Sequence, residues 1–263
     1  MWRAYKALVK AYLATALEYR AQVIIWLLSF LFPLVMMTVW LTIVDEIGPA
    51  AGWNRTDFIS YYVGITLVRQ ATSAWTVWAW NRDIRTGQLS VKLLKPLDPF
   101  HHYLCDQLGF TLFLLTIIVP PVALVMWLSP SISYALTLGR LVAFVISIGV
   151  GFMLNVLAGS TFGVLAFWSP QTINLFMLWY GSGQFLSGWI APLALFPVAI
   201  RRIAFLLPFR SSLGFPMEIL MGQLTWGEIW AGFAVGGVWM VLLLVAYRIL
   251  YRLGLRRYSA VGA

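Results

Sequence analysis

Charged residues are scarce in this sequence, at 10% of 263 residues, whereas about a quarter of the residues of a soluble domain are charged. Apolar residues make up 61% of the chain, against about 45–50% in a soluble domain. So few polar groups cannot cover the surface of a soluble enzyme, and a disordered chain would be far less apolar. Cysteine occurs once, at Cys105, which excludes a secreted scaffold held by internal disulfides. The sequence therefore predicts an integral membrane protein.

Motifs that would give the chain its own chemistry are also missing. There is no GxxxxGKS/T phosphate-binding loop, so the chain cannot by itself hydrolyse ATP in the manner of P-loop proteins. The apolar segments contain no HExxH motif, no cysteine pair and no cluster of carboxylates. His101 and His102 are neighbours, which point in different directions on a helix, and we interpret them as interface residues. We predict no catalytic residue, no metal site and no cofactor on this chain.

Six apolar segments are long enough to cross a bilayer as helices, for which about 20 residues are needed. None of them alternates with the period of two that barrel strands require. The six predicted spans are Ala21–Val44, Phe58–Trp80, Leu104–Leu128, Leu141–Trp168, Ile173–Ile190 and Ile229–Tyr247. Because no soluble domain separates them, residues 1–263 are predicted to form a single all-α transmembrane domain with six transmembrane helices.

The distribution of Lys and Arg predicts the orientation. The bases lie mainly between the apolar segments, so the net charge of +9 is assigned to the positive-inside rule and not to nucleic acid. Twelve bases fall on the side that holds both termini and the loop after the second span, and five fall on the other side. Both termini are therefore predicted to be cytoplasmic.

Two further segments accompany the spans. Residues 1–20 carry bases and apolar residues on different helical faces, which predicts an amphipathic helix in the cytoplasmic interface. The alternative is a plain extension of the first span.

Residues 191–222 contain four prolines and the adjacent pair Arg201 and Arg202, which argue against a seventh span. We expect this segment to form broken, partly re-entrant helices on the extracellular side, between the fifth and sixth spans.

Arg69 lies near the middle of the second predicted span, where a charge costs at least ~2.5–3.5 kcal/mol on insertion scales. It is expected to face protein or water and not lipid. One interpretation is a substrate path, in which Arg69 meets an anionic or polar group and Asn155 and Gln184 lie on the same path. The other is structural: Arg69 hydrogen-bonds to Asn155, Gln70 or backbone carbonyls, and the polar side chains join helices.

The cytoplasmic loop NRDIRTGQLSVKLLKPLDPF, residues 81–100, is the most informative stretch. Gly87 can end the preceding helix in a left-handed cap, and Pro96 can stop the next one. Between them the sequence predicts a short, basic, partly apolar helix of the kind that enters a groove of a partner protein. The candidate partner-contact residues are Arg85, Gly87, Leu89, Lys92, Leu93, Leu94, Lys95 and Pro96.

At this loop the chain resembles the six-helix permease subunits of type 2 ABC exporters. The specific parts are the run GQLSVKLLKPLDPF in the loop, and SGWIAPLALFP followed by LLPF within residues 183–223. The resemblance extends over essentially the whole chain. Arg69 matches no motif of that family.

The resemblance implies partners and a mechanism. Such subunits pair as like or closely related chains, and each binds a separate cytoplasmic ATPase that carries MgATP. The loop 81–102 would hold the coupling helix that senses the nucleotide state, and a hydrophobic or amphipathic substrate would move outward between the two permeases. The complex would lie among the lipids of the plasma (inner) membrane of a prokaryote. The residues alone leave open an ion-coupled secondary carrier or a non-transporting membrane scaffold.

Overall fold

A computed structural model describes residues 31–129 and 132–258, and within these ranges every regular element is a helix. The interfacial helix predicted for residues 1–20 lies outside the described residues. The α-helices are α1 (Leu31–Ile47), α2 (Arg55–Thr72), α3 (Thr76–Arg85), α4 (Gln88–Leu93), α5 (Pro99–Leu128), α6 (Leu138–Gly163), α7 (Thr172–Leu186), α8 (Val198–Leu206), α9 (Pro208–Ser212), α10 (Gly214–Leu220) and α11 (Trp226–Leu255).

Within the described ranges, three helices are long and apolar enough to cross a membrane: α5, α6 with the 3-10 turn Val164–Phe167, and α11. They correspond to the third, fourth and sixth predicted spans. The first predicted span continues through α1, but its earlier part lies outside the described residues. The fifth corresponds to α7, which has 15 residues, fewer than the ~20 that a straight crossing needs. The count of six crossings therefore stays a prediction.

The second predicted span, Phe58–Trp80, is not one continuous helix, and this corrects the prediction. The helix α2 ends at Thr72 and α3 begins at Thr76. The three residues between them, Ser73–Trp75, form the helix break. The break contains neither proline nor glycine, so its cause lies in the residues that surround it.

Polar side chains from two other helices satisfy the backbone groups at the helix break. In α5, Gln107 Oε1 accepts from the Trp75 N–H at 2.6 Å, and Thr111 Oγ1 donates to the Ser73 carbonyl at 3.3 Å. In α6, Asn155 Nδ2 donates to the Thr72 carbonyl at 2.8 Å. Without partners, such groups would be costly to bury, and non-helical backbone at membrane depth needs this kind of protein environment.

The helix α6 lies at the centre of the fold and packs against α2, α3, α7, α9, α10 and α11. Glycines allow α3 to come close to it. A Cβ atom on Gly159 would lie 2.5 Å from Thr76 Oγ1, and one on Gly163 would lie 2.5 Å from Trp80 Cβ. The first half of the loop 81–100 is thus attached to the central helix through α3.

The segment 191–222 is broken, as predicted, into the 3-10 turn Leu193–Leu195 and the short helices α8, α9 and α10. Pro197 caps α8 and Pro208 begins α9, so these prolines mark boundaries between the pieces. Within the segment Arg210 and Glu218 form a buried ion pair, with Arg210 Nε 3.1 Å from Glu218 Oε2. The position of the segment on the outer side of a membrane stays a prediction.

Candidate functional site

The predicted short helix of the loop is present as α4. Gly87 precedes it with a φ of +77°, in the left-handed region that favours glycine, and separates it from the end of α3. The helix ends at Leu93, and Pro96 lies in the turn region after it. The two residues that the sequence assigned as boundaries therefore flank the helix.

The two faces of α4 differ in burial. Leu89 is 0% exposed and packs in a core cluster with Trp80 and Tyr103, whereas Leu94, just after the helix, is 88% exposed. The Leu89 side chain holds α4 onto its own chain, and its contact with a partner stays a prediction. The predicted contact residues that are exposed in and around α4 are Arg85, Leu93, Leu94, Lys95 and Pro96.

Asp83 is the centre of the polar contacts that hold α4. Its side chain is 4% exposed, and its Oδ2 lies 2.6 Å from Lys92 Nζ and accepts from the Tyr103 hydroxyl at 2.9 Å. Its Oδ1 accepts from Arg82 Nε at 3.1 Å. The Lys92 ammonium also lies 3.9 Å from the centre of the Tyr103 ring. Lys92 therefore faces Asp83 and Tyr103, and its contact with a partner stays a prediction.

These contacts determine the charge of Asp83. Burial alone raises the pKa of the carboxyl, but the hydrogen bond and the charge of Lys92, with the hydrogen bonds from Tyr103 and Arg82, bring the pKa below its ordinary value. The carboxylate is ionised at neutral pH, and the ion pair with Lys92 stays intact.

The other half of the loop is attached to the end of α11. Arg248 Nη1 lies 2.8 Å from Asp98 Oδ2, while Asp98 Oδ1 caps α5 by accepting from the Phe100 N–H at 2.9 Å. The hydroxyls of Ser90 and Tyr258 lie 3.1 Å apart. Because both halves of the loop are attached, α4 is linked to α3 on one side and to α11 on the other.

The second site lies beside the helix break, where two adjoining chambers share Arg69, Tyr180 and Gln184. The small chamber has a volume of about 50 Å³ and is also lined by Asn155 and Ser187. The large chamber has a volume of about 510 Å³, and its walls are mainly apolar. Residues that line only the large chamber include Phe32, Phe185, Trp189 and Ile190. All three residues of the predicted substrate path therefore line one cavity.

Arg69 is held in the cavity by aromatic residues. It donates from Nη2 to the Tyr180 hydroxyl, and its guanidinium carbon lies 4.7 Å from the centre of the Trp189 ring. It occupies the last turn of α2, where the helix dipole favours a cation. The predicted hydrogen bonds to Asn155 and Gln70 are not found in the described residues, and no carboxylate there pairs with Arg69.

Two polar atoms at the small chamber have no partner among the described residues. They are Gln184 Oε1 and Ser187 Oγ, and both are buried. Buried polar groups of native proteins are nearly always hydrogen-bonded, so each such atom needs an explanation, such as a ligand or ordered water.

Sequence reasoning missed several of these residues for different reasons. Asp83 had a usable signal, because an acidic residue beside a run of bases is a candidate for an ion pair. Tyr180 and Trp189 had none, since they are two of many aromatic residues in this chain. Tyr103, Arg248 and Tyr258 contact the loop only through tertiary packing.

Comparison with models of protein families gives a match over nearly the whole chain. A family model described as ABC-2 family transporter protein matches residues 11–262. A comparison with curated proteins gives no match. The matched range includes every described helix, and hence both α4 and the two chambers.

Proposed function

The chain belongs to the ABC-2 family of transporter proteins, and on that premise we propose that it is the permease subunit of an ABC exporter powered by a separate ATPase. In this proposal six helices cross the plasma (inner) membrane of a prokaryote, with both termini cytoplasmic and residues 191–222 on the outer side. A second permease of the same or a related kind completes the translocation path. MgATP binds to the partner ATPase, because this sequence has no phosphate-binding loop.

The observation that supports the proposal most is the two-sided character of α4. One side is held by Leu89 and by the ion pair between Lys92 and Asp83. The other side presents Val91 and Leu94 to solvent. A short helix that is fixed on one side and apolar on the other suits a groove in a partner protein.

A continuous path leads from α4 to the cavity. The helix α3 has ten residues, so it spans about 15 Å between the loop and the helix break. Arg69 lies just before that break, in the last turn of α2. A displacement of α4 by the ATPase would therefore move α3 and change the backbone beside the two chambers.

Leu94→Asp tests the proposal. An aspartate in an apolar groove without a partner costs ~3–5 kcal/mol, which corresponds to at least a hundredfold weaker binding. We expect the permease variant to insert normally and to lose the ATPase during co-purification. The ratio of the two subunits after affinity purification is the measurement.

The matched control is Ile47→Asp, because Ile47 is 80% exposed and lies on the outer side in the proposed topology. We expect it to retain the ATPase at the wild-type ratio. If Leu94→Asp also retains the ATPase at that ratio and transports normally, α4 is not the coupling element.

A further inference from the structure

The two chambers differ in size and polarity in a way that matches an amphipathic molecule. The small chamber, at about 50 Å³, has room for a headgroup of a few heavy atoms, since a single water needs ~10–15 Å³ on this measure. The large chamber, at about 510 Å³, lies within the ~300–1,000 Å³ range of small-molecule sites. Its walls include Phe32 and Ile190, and the exposed ring of Phe185 borders it.

Arg69 supplies a positive charge at the junction of the chambers. It is the only charged side chain among the described residues that line either chamber. A guanidinium has five N–H donors in one plane. The Trp189 ring covers a face of that plane, and the Tyr180 hydroxyl accepts from one donor. The remaining edge suits a carboxylate or a phosphate, which a guanidinium binds with two parallel hydrogen bonds.

The unpartnered atoms at the small chamber support the same assignment. Gln184 Oε1 and Ser187 Oγ are buried at the chamber that Arg69 borders. A bound headgroup and its hydrating water would provide the hydrogen bonds that these atoms lack. An entirely apolar ligand would leave them unpaired.

We propose that the two chambers bind a single-chain amphiphile with one anionic headgroup, a carboxylate or a phosphate. The headgroup binds Arg69 at the small chamber, and the apolar chain occupies the large chamber against Trp189. This assignment rests on the proposed function, because it identifies the amphiphile as the class of substrate that the exporter moves.

The test measures binding to the purified permease without its ATPase, in nanodiscs of zwitterionic lipid. The probe is radiolabelled laurate, with empty nanodiscs as the background. The competitors are dodecyl phosphate, dodecanol and inorganic phosphate. We expect dodecyl phosphate to displace laurate at least tenfold more effectively than dodecanol or inorganic phosphate does. Equal displacement by dodecanol would overturn the role of the anion. Equal displacement by inorganic phosphate would overturn the role of the chain.

Variants show whether Arg69 carries the recognition. Arg69→Gln should weaken laurate binding at least tenfold, while Arg69→Lys, which keeps the charge, should retain part of it. The control Arg202→Gln, at an exposed arginine outside both chambers, should bind laurate like the wild type. Wild-type binding by Arg69→Gln would overturn the proposal.

The binding result is independent of the ATPase experiment. Suppose that Leu94→Asp loses the ATPase but the wild type does not bind laurate. The proposed exporter function would then be supported, and the amphiphile as its ligand would be rejected. The opposite result is also informative. If laurate binding depends on Arg69 but Leu94→Asp still retains the ATPase, the amphiphile site is supported and the coupling role of α4 is rejected.

Discussion

Arg69 and Arg210 both lie among aromatic rings, but of these two only Arg210 has a carboxylate partner among the described residues. Arg210 in α9 pairs with Glu218, and the Phe205 ring centre lies 4.2 Å from its guanidinium carbon. Arg69 in α2 lies over Trp189 and donates to Tyr180, and in the described residues no acidic group balances its charge. The charge of Arg210 is neutralised within the chain, whereas the charge of Arg69 is available to a ligand.

The difference separates a structural role from a binding role. A buried ion pair in which the arginine donates more than one hydrogen bond to the carboxylate can hold short helices together, here α9 and α10. A cation kept in a predicted span without a counter-ion is expensive, and such residues usually mark a substrate or ion path. The contrast between Arg210 and Arg69 is therefore the physical basis for assigning the cavity a ligand.

The largest effect is expected for Arg210→Met. The change leaves Glu218 buried without its partner, and an uncompensated buried charge lowers stability by ~3–5 kcal/mol. Thermal unfolding of the purified permease should show the loss. The double variant Arg210→Met with Glu218→Gln should recover most of it, because the neutral pair removes the isolated charge. If Arg210→Met unfolds like the wild type, the ion pair does not stabilise residues 191–222.

A smaller effect is expected for Asp83→Asn, which tests another internally neutralised cation, Lys92. The carboxylate receives charge-assisted hydrogen bonds from Lys92 and Arg82, and such bonds are worth ~1.5–3 kcal/mol each. The amide keeps part of this network, so we expect the fraction of molecules in which α4 is open to rise about 10- to 100-fold. Hydrogen exchange of the α4 amides is the measurement. The control Asp45→Asn removes an exposed pair with Arg55, for which ~0–1 kcal/mol is typical.

The pH dependence of the same exchange gives an independent check. The pKa of Asp83 is lowered in the folded protein. Its contribution to the stability of α4 is therefore complete above the ordinary aspartate pKa of ~3.9, and it is lost as the pH falls through the lower pKa of the folded state. Protection of α4, corrected for the intrinsic exchange rate, should stay constant from about pH 8 to about pH 5. A loss of protection near pH 6 would show that another group holds the helix.

Much of the fold could be predicted because the apolar runs are long and the boundaries carry strong local signals. Gly87 and Pro96 flank α4, and Pro197 and Pro208 lie at the starts of short helices within residues 191–222. These signals act within a few residues along the chain, which is why a single sequence reveals them.

The helix break could not be predicted, because its causes lie far along the sequence. Ser73–Trp75 contains neither proline nor glycine, and the side chains that bond to the backbone at its two ends come from the distant residues Gln107, Thr111 and Asn155. The burial of Leu89 could not be predicted from the sequence for a related reason. Its burial depends on α3 and α5, and not on the pattern of the loop itself.

The smallest effect is expected for the stability of Arg69→Met, and it decides whether the comparison holds. The variant loses a hydrogen bond to Tyr180, worth ~1 kcal/mol, and the cation–π contact with Trp189, worth ~0.5–2 kcal/mol. It also removes a charge whose insertion costs at least ~2.5–3.5 kcal/mol. Because these terms oppose each other, the net change should lie between a gain of about 2 kcal/mol and a loss of about 0.5 kcal/mol. The measurement compares the thermal unfolding of Arg69→Met with that of Arg210→Met at equal protein and detergent concentrations. If Arg69→Met loses as much stability as Arg210→Met does, Arg69 holds the helices together, and the unbalanced charge is no evidence of a ligand.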